Sequence, residues 1–256
     1  MKILLYGEGK TDYGIKDYEK FSGEKSVYSE KEWKPGPIVY ILKNCADLYG
    51  KEISIEYADK KQIDGKEKIK LGKRQLDDLK KQGLDKGKAL PARRFKITAL
   101  ENGFETGVFY CDTDKVVKGK NTDEQACKKE FEKIYAEVDA GLNGGRSGTW
   151  RGLPMVALKM IECWLLSDEN AYIDCFGSAP NSPELPAKPE LIWGQKEKES
   201  SNYPKNYMYR ILKQYDKKSD MEIFNQIAQN TRPAILNDKC NISFTKFYED
   251  MRRLFK

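Results

Sequence analysis

Ile3-Leu4-Leu5-Tyr6-Gly7-Glu8-Gly9-Lys10-Thr11-Asp12 is the stretch on which the reading of this chain turns. Four apolar residues run into two glycines that bracket a single glutamate. That is the pattern of a buried parallel strand carrying a carboxylate past its C-terminal end. Two further stretches repeat it. Val108-Phe109-Tyr110-Cys111-Asp112-Thr113-Asp114 is an apolar run that breaks into two acids one residue apart, and Met155-Val156-Ala157-Leu158-Lys159-Met160-Ile161-Glu162 is a third run that ends in Glu162. In open α/β sheets, ligands bind outside the carboxyl ends of the strands, so three such strands gather their acids along one edge. That edge is the candidate active site.

The chain has 256 residues, 39% of them apolar and 34% charged, and is long enough to bury a sizeable core unaided. No apolar run approaches the roughly 20 residues that cross a bilayer. The first apolar run meets Glu8 too soon for a secretory signal, so a cytoplasmic protein with no membrane partner is expected. Cysteines at 45, 111, 127, 163, 175 and 240 form no CxxC pair, the distribution of reduced, mostly buried small hydrophobes. Histidine is absent, which excludes Ser-His-Asp and Cys-His catalysis, histidine general bases and His-ligated zinc within this chain. Any metal has to be held by oxygen, which suits Mg²⁺ or Mn²⁺. The net charge is +6, unevenly spread: residues 60–96 hold 14 Lys and Arg against 5 Asp and Glu, a local +9 that leaves about −3 for the remainder. Beside an acidic edge, such a segment fits a polyanionic substrate; on its own, it equally fits a solvated loop.

Residues 13–34 are polar and aromatic without a clear period and read as a long loop or insertion. Beyond Pro35-Gly36-Pro37, helical spacing predicts a crossover helix over 38–49, and alternation predicts a strand over 53–57. The basic segment holds a helix around 75–81 and leads into another from Pro91 through Leu100, with Phe95, Ile97 and Leu100 inward. After the strand at 107–111, Asn121-Thr122-Asp123 caps a helix running to about Leu142, with Phe131, Ile134, Tyr135 and Val138 on one stripe. Five glycines make 141–152 a loop; a strand enters at Pro154, and a helix runs from Ile161 to about Cys175. Four prolines between 180 and 189 mark a linker, followed by helices at 207–215, 221–229 and 243–255. The expected fold is α/β: a mainly parallel four-stranded sheet with helices on both faces over residues 1–179, with the basic insertion at 60–96, then a linker and helical cap over 180–256 packed on the core.

Asp112 and Asp114, two positions apart past a buried strand, crowd their charges. Like charges at about 4 Å repel by roughly 4 kcal/mol at an effective dielectric of 20, so the pair needs a cation or a raised pKa. They read as metal ligands or as turn and cap residues satisfied locally. Glu8 and Asp12 reach one ion if a helical turn starts after Gly9; otherwise they are a polar turn residue and a first-turn acid. Glu162 has the same two readings, Trp164, Leu165 and Leu166 belong to the core, and Asp168 ends a helical turn. Gly9-Lys10-Thr11 is not a phosphate loop, since that motif needs glycine where Leu4 stands. Lys10 remains the candidate for contacting a phosphate.

Together, Glu8, the Asp112-Thr113-Asp114 pair and the second acid Asp12 resemble the Toprim superfamily, the metal-binding core of topoisomerases, primases and OLD-type nucleases. More narrowly, Gly7-Glu8-Gly9-Lys10-Thr11-Asp12 and Ile161-Glu162-Cys163-Trp164-Leu165-Leu166-Ser167-Asp168 are similar to a Toprim-like family found beside ATPases in bacterial defence loci. The resemblance covers the core to about Cys175, and Ser243-Phe244 more loosely. It implies Mg²⁺- or Mn²⁺-dependent cleavage of phosphodiester bonds in DNA or RNA, with Glu8, Asp12, Asp112, Asp114 and Glu162 around the metal, Lys10 as the nearby lysine, and an ATPase as partner. A non-catalytic nucleic-acid-binding or assembly subunit, and a primase-like nucleotidyl transferase, share the same acidic pattern.

Overall fold

In the computed structural model, which describes residues 1–20, 22–65, 68–84, 87–114, 116–145 and 148–256, β1 (Lys2–Gly7) lies at the centre of a sheet and is followed by one helical turn, α1 (Lys10–Tyr13). The next segment is not the loop its sequence suggests. It forms β2 (Gly14–Lys16), β3 (Val27–Tyr28) and β4 (Trp33–Pro35). β2 and β4 pair antiparallel as a small ribbon. These strands are too short to show a period of two, and aromatic packing holds the segment instead: Trp33 stacks on Tyr57 at 4.9 Å and meets Tyr13 and Tyr28.

The crossover α2 (Pro37–Asp47) leads to β5 (Ser54–Ala58), and α3 (Lys60–Ile63), α4 (Lys73–Lys81) and α5 (Ala89–Glu101) lead to β6 (Thr106–Asp112). Lys66, Glu67, Asp85 and Lys86 of the basic segment lie outside the described residues. In α5 it is Ala92, Phe95 and Ala99 that are buried, while Ile97 is half-buried and Leu100 is 43% exposed. The inward stripe is thus i, i+3, i+7 through two alanines hidden in a basic run. α6 (Glu124–Asn143), capped by Asp123, connects to β7 (Arg151–Ala157). β7 starts inside the glycine-rich stretch expected to be loop. A Cβ at Gly152 would stand 2.6 Å from that of Leu142, so glycine is what lets the strand lie against α6. The expected single helix after β7 is two, α7 (Ile161–Leu165) and α8 (Glu169–Phe176). Asp168 does not end a turn but caps α8, accepting from Asn170 N at 3.1 Å. The chain closes with α9 (Pro204–Lys213), α10 (Met221–Asn230), α11 (Pro233–Lys239), which the sequence reading missed, and α12 (Phe244–Phe255).

The main sheet has five strands, not four, in the order β3-β5-β1-β6-β7. β5, β1, β6 and β7 run parallel, and β3 is an antiparallel edge strand. Alternation divides its side chains between two layers. Ile3, Leu5, Val108, Tyr110 and Met155 share an apolar cluster with α2 and residues of α7 to α12, whereas Leu4, Tyr6, Phe109, Cys111 and Val156 pack with α5 and α6. The chain leaves β1 toward β5 on one side and then crosses back to β6 on the other, so the sheet changes direction between β1 and β6. All six cysteines are free thiols, five buried and Cys175 partly so. Among the described residues, no helix is long and apolar enough to cross a membrane.

Candidate active site at the switch point

Glu8 follows β1 and Asp112 ends β6, so these two acids flank the position where the strand order reverses, the usual ligand crevice of such sheets. Asp12 is brought back to this edge by α1, and Glu162 stands in the first turn of α7 rather than at a strand end. The loop carrying Asp114 is pinned to the exit of β7: Thr113 N donates to Ala157 O at 3.0 Å, Asp114 N to Lys159 O at 2.9 Å, and Lys159 N to Thr113 Oγ1 at 2.8 Å. Asp114 and Lys159 both adopt left-handed backbone, with φ of 55° and 69°. Such conformations are costly for a lysine and cluster where surrounding structure over-determines them. Lys159 is wholly buried, and its Nζ donates to Glu190 O at 2.6 Å and Ile192 O at 3.1 Å, which ties the edge to the proline-rich segment.

Three of the five acids are raised by burial and by the charge of their neighbours. Burial raises Asp12, and the charges of Glu8 and Asp114 add to that rise, while a hydrogen bond from Thr11 and the Lys205 charge oppose it. Burial likewise pushes Asp112 well above the carboxylate range, reinforced by Asp12, Glu162 and Asp114 and opposed by the Tyr110 hydroxyl, which donates to Asp112 Oδ1. Glu162 is raised to about 7, chiefly by burial, with Lys205 lowering and Asp12 raising it. Asp114 itself is exposed and Glu8 half-buried.

Two lysines that sequence reasoning did not single out face this cluster. Lys88 Nζ contacts both oxygens of Glu8, at 2.6 Å to Oε2. Burial works to lower its ammonium, but nearby Cys111, Glu8 and Asp114 outweigh it and raise it. Lys205, from the first turn of α9, stands 3.8 Å from Glu162 Oε1 and is raised first by Glu162, then by Asp12 and Asp112 against the pull of burial. Lys10, the expected lysine, is exposed and lines a neighbouring cavity instead. Three other cations of the basic segment are committed to the scaffold. Arg93 donates to Gly141 O and Ala140 O, Lys96 to Gly144 O, and Arg94 to Ile69 O and Ile63 O. Arg93 and Lys96 thereby cap the C-terminal end of α6, where its dipole favours positive charge. Asp168 is engaged by Arg232, whose Nε and Nη2 donate to its two oxygens.

Desolvated carboxylates raised by one another's charge, with only oxygen donors, are a donor set suited in its chemistry to a hard divalent cation. As the side chains stand, no three Asp, Glu or Cys among the described residues are arranged to hold one. Lys88 and Tyr110 supply positive charge and a hydroxyl to Glu8 and Asp112. Comparison with protein-family models, curated proteins and solved structures returns no match.

Proposed function

We propose that this edge is a Mg²⁺- or Mn²⁺-dependent phosphodiesterase centre in a Toprim-like core, and that the chain is a nuclease acting on DNA or RNA. The observation that carries the proposal is the mutual electrostatic influence of acids from three separate strand exits, with a lysine facing each side. Glu8, Asp12, Asp112, Asp114 and Glu162 would hold the ion, which when bound supplies Lewis acidity to a phosphoryl oxygen and lowers the pKa of water. Lys88 on the Glu8 side and Lys205 on the Glu162 side bind the anionic phosphodiester and offset charge that grows on it. Glu162 would complete the shell of the ion or orient the attacking water. An effector role in a defence system, with an ATPase partner, follows from the resemblance of the acidic motifs.

A second reading, a nucleic-acid-binding or assembly subunit without activity of its own, draws on the Glu8–Lys88 ion pair and the Tyr110–Asp112 hydrogen bond, which engage two of the acids within the chain. Plasmid and single-stranded oligonucleotides incubated with Mg²⁺, Mn²⁺ or EDTA separate the two. Divalent-dependent cutting that falls at least about 100-fold in both Glu8→Ala and Asp112→Ala is the result expected of the nuclease. Binding that ignores EDTA, with no cutting, is expected of the subunit; variants that cut like wild type remove the site assignment.

A further inference from the structure

The basic segment divides its cations into three sets. Residues 60–96 hold 14 Lys and Arg, of which Lys66 and Lys86 lie outside the described residues, leaving 12. Lys60, Lys61 and Lys88 pair with Asp64, Glu24 and Glu8, and Arg93, Arg94 and Lys96 donate to backbone carbonyls of the scaffold. The remaining six, Lys68, Lys70, Lys73, Arg74, Lys80 and Lys81, are exposed and make no ion pair among the described residues. Four of these stand on a built helix rather than on a solvated loop. α4 is closed at both ends: Gly72 N donates to Gln75 Oε1 at 2.8 Å, and Leu84 N donates to Leu79 O at 2.8 Å around Gly83, whose φ is 68°. Leu79 is fully buried and Asp78 lies 4.0 Å from Arg93, so the helix is held by its inner side. Lys73 and Arg74 open its solvent side and Lys80 and Lys81 close it, about 10 Å further along the axis. Both ends of the segment are anchored at the acidic edge. Lys60 Nζ lies over the ring of Tyr6, near the end of β1, at 5.8 Å, and Lys88 meets Glu8.

We propose that residues 68–81, α4 and the stretch leading into it, form the face on which a nucleic-acid backbone lies, bound by its charge and not by its sequence. Six cations against Asp77 and Asp78 give these residues a net +4. A phosphodiester strand needs only such spaced cations, each contact releasing counterions. An acidic protein would call for apolar residues at the centre of its interface, and a membrane surface for an apolar helix face. Neither is offered, since none of the exposed large apolar side chains belongs to this segment. Lysine ammonium groups act as point charges on phosphate oxygens, which carry no sequence information. Delivery of the bound strand to the acids rests on the phosphodiesterase proposal; binding by this face does not.

The test is fluorescence anisotropy in EDTA, with labelled poly(dT) and two short duplexes of unrelated sequence, at about 50 and 200 mM salt. All three should bind, the two duplexes within about threefold of each other. Duplex binding should weaken about 100-fold between the two salt concentrations, as about four phosphate contacts require. The combined change Lys73→Gln, Arg74→Gln, Lys80→Gln and Lys81→Gln should weaken duplex binding at the lower salt at least about tenfold and cut the salt effect to under about tenfold. Each adjacent pair changed alone should lower the salt slope by about 1 to 2. Lys80→Arg with Lys81→Arg keeps the charge and should bind like wild type. Lys217→Gln with Lys218→Gln, at exposed positions beyond α9, should bind within about twofold of wild type. A fourfold variant and pairs that bind and respond to salt like wild type overturn the proposal, as does a wild type that binds none of the three. Polyglutamate that binds as tightly as the duplexes overturns it too, and assigns the face to an acidic protein. Duplex binding that depends on α4, without cutting under any divalent ion, supports the face and removes the phosphodiesterase proposal. Divalent-dependent cutting with binding indifferent to the α4 changes does the reverse.

Discussion

Gly9 is held at its identity by Asp12. A Cβ there would run into Asp12 Oδ2 and lie 2.6 Å from its Cγ, although the backbone, at φ −90° and ψ 130°, is open to any residue. Gly9→Ala should therefore fold, with a stability change within about 1 kcal/mol for the lost N-cap glycine, while moving the Asp12 carboxylate; under the nuclease proposal it should lower divalent-dependent cutting at least tenfold. Parallel urea unfolding and cleavage assays check this; a variant as active as wild type would show that Asp12 is not part of the centre. At this scale the acids were legible and the lysines were not. Glu8, Asp112 and Asp114 announce themselves because each ends an apolar run, so the strand itself fixes where the carboxylate goes. Lys88 is one of 14 cations in its segment and Lys205 follows a proline at a helix start; nothing local marks either, since each meets its acid only through packing between distant elements.

Among the elements, the break between α7 and α8 is the one that the sequence hides most effectively. The buried apolar residues Trp164, Leu165 and Leu166 run up to it and Ala171 and Tyr172 resume beyond it, so periodicity reads one helix, yet Asp168 restarts the backbone as an N-cap and also accepts from Arg232 N and Nε, each at 2.9 Å. Asp168 is fully buried and held below the usual carboxylate range, because the bonds from Arg232 outweigh the cost of burial. It thus joins the start of α8 to the start of α11, and its place in the Glu-x-Trp-Leu-Leu-x-Asp run is structural. Asp168→Ala should cost about 3 kcal/mol, roughly 1 from the cap and the rest from the broken ion pair, and Asp168→Asn, which keeps the cap, about half as much. Equilibrium denaturation at pH 7 measures both; a loss under about 0.5 kcal/mol for the alanine variant would contradict this role. The short strands β2, β3 and β4 escaped for a different reason. Two or three residues carry no period, and their stability comes from Trp33 packed among tyrosines rather than from a pattern.

For the whole molecule, the long parallel strands, the helices on both faces and the apolar side of the last helices were readable because each buries apolar residues, whereas the polar tie between the edge and the segment after Pro189 was not, because it is made of isolated polar groups. Glu190 is its centre. Its backbone oxygen accepts from Lys159 Nζ beside the acidic edge, and its carboxylate accepts from Ile242 N at 2.9 Å, Ser243 N at 3.1 Å and the Ser243 hydroxyl, which in turn accepts from Trp164 Nε1 at 2.9 Å. Burial nevertheless dominates and raises Glu190 from 4.5 to about 7, against the pull of these donors. An acid raised in the folded state takes up a proton on folding between the two values, so its contribution falls as pH rises through that window. It is neutral to stability below about 4.5 and carries its full cost above about 7. At about 1.36 kcal/mol per unit, that cost is about 3 kcal/mol, large beside a total of roughly 5–15 kcal/mol. Glu190→Gln removes the titration while keeping the shape and one acceptor. Its stability relative to wild type should therefore climb by about 3 kcal/mol between pH 4.5 and pH 8, read from urea midpoints at matched ionic strength. A difference that stays flat across that range would mean that Glu190 is ionised throughout, and that the donors around it, rather than burial, set its charge.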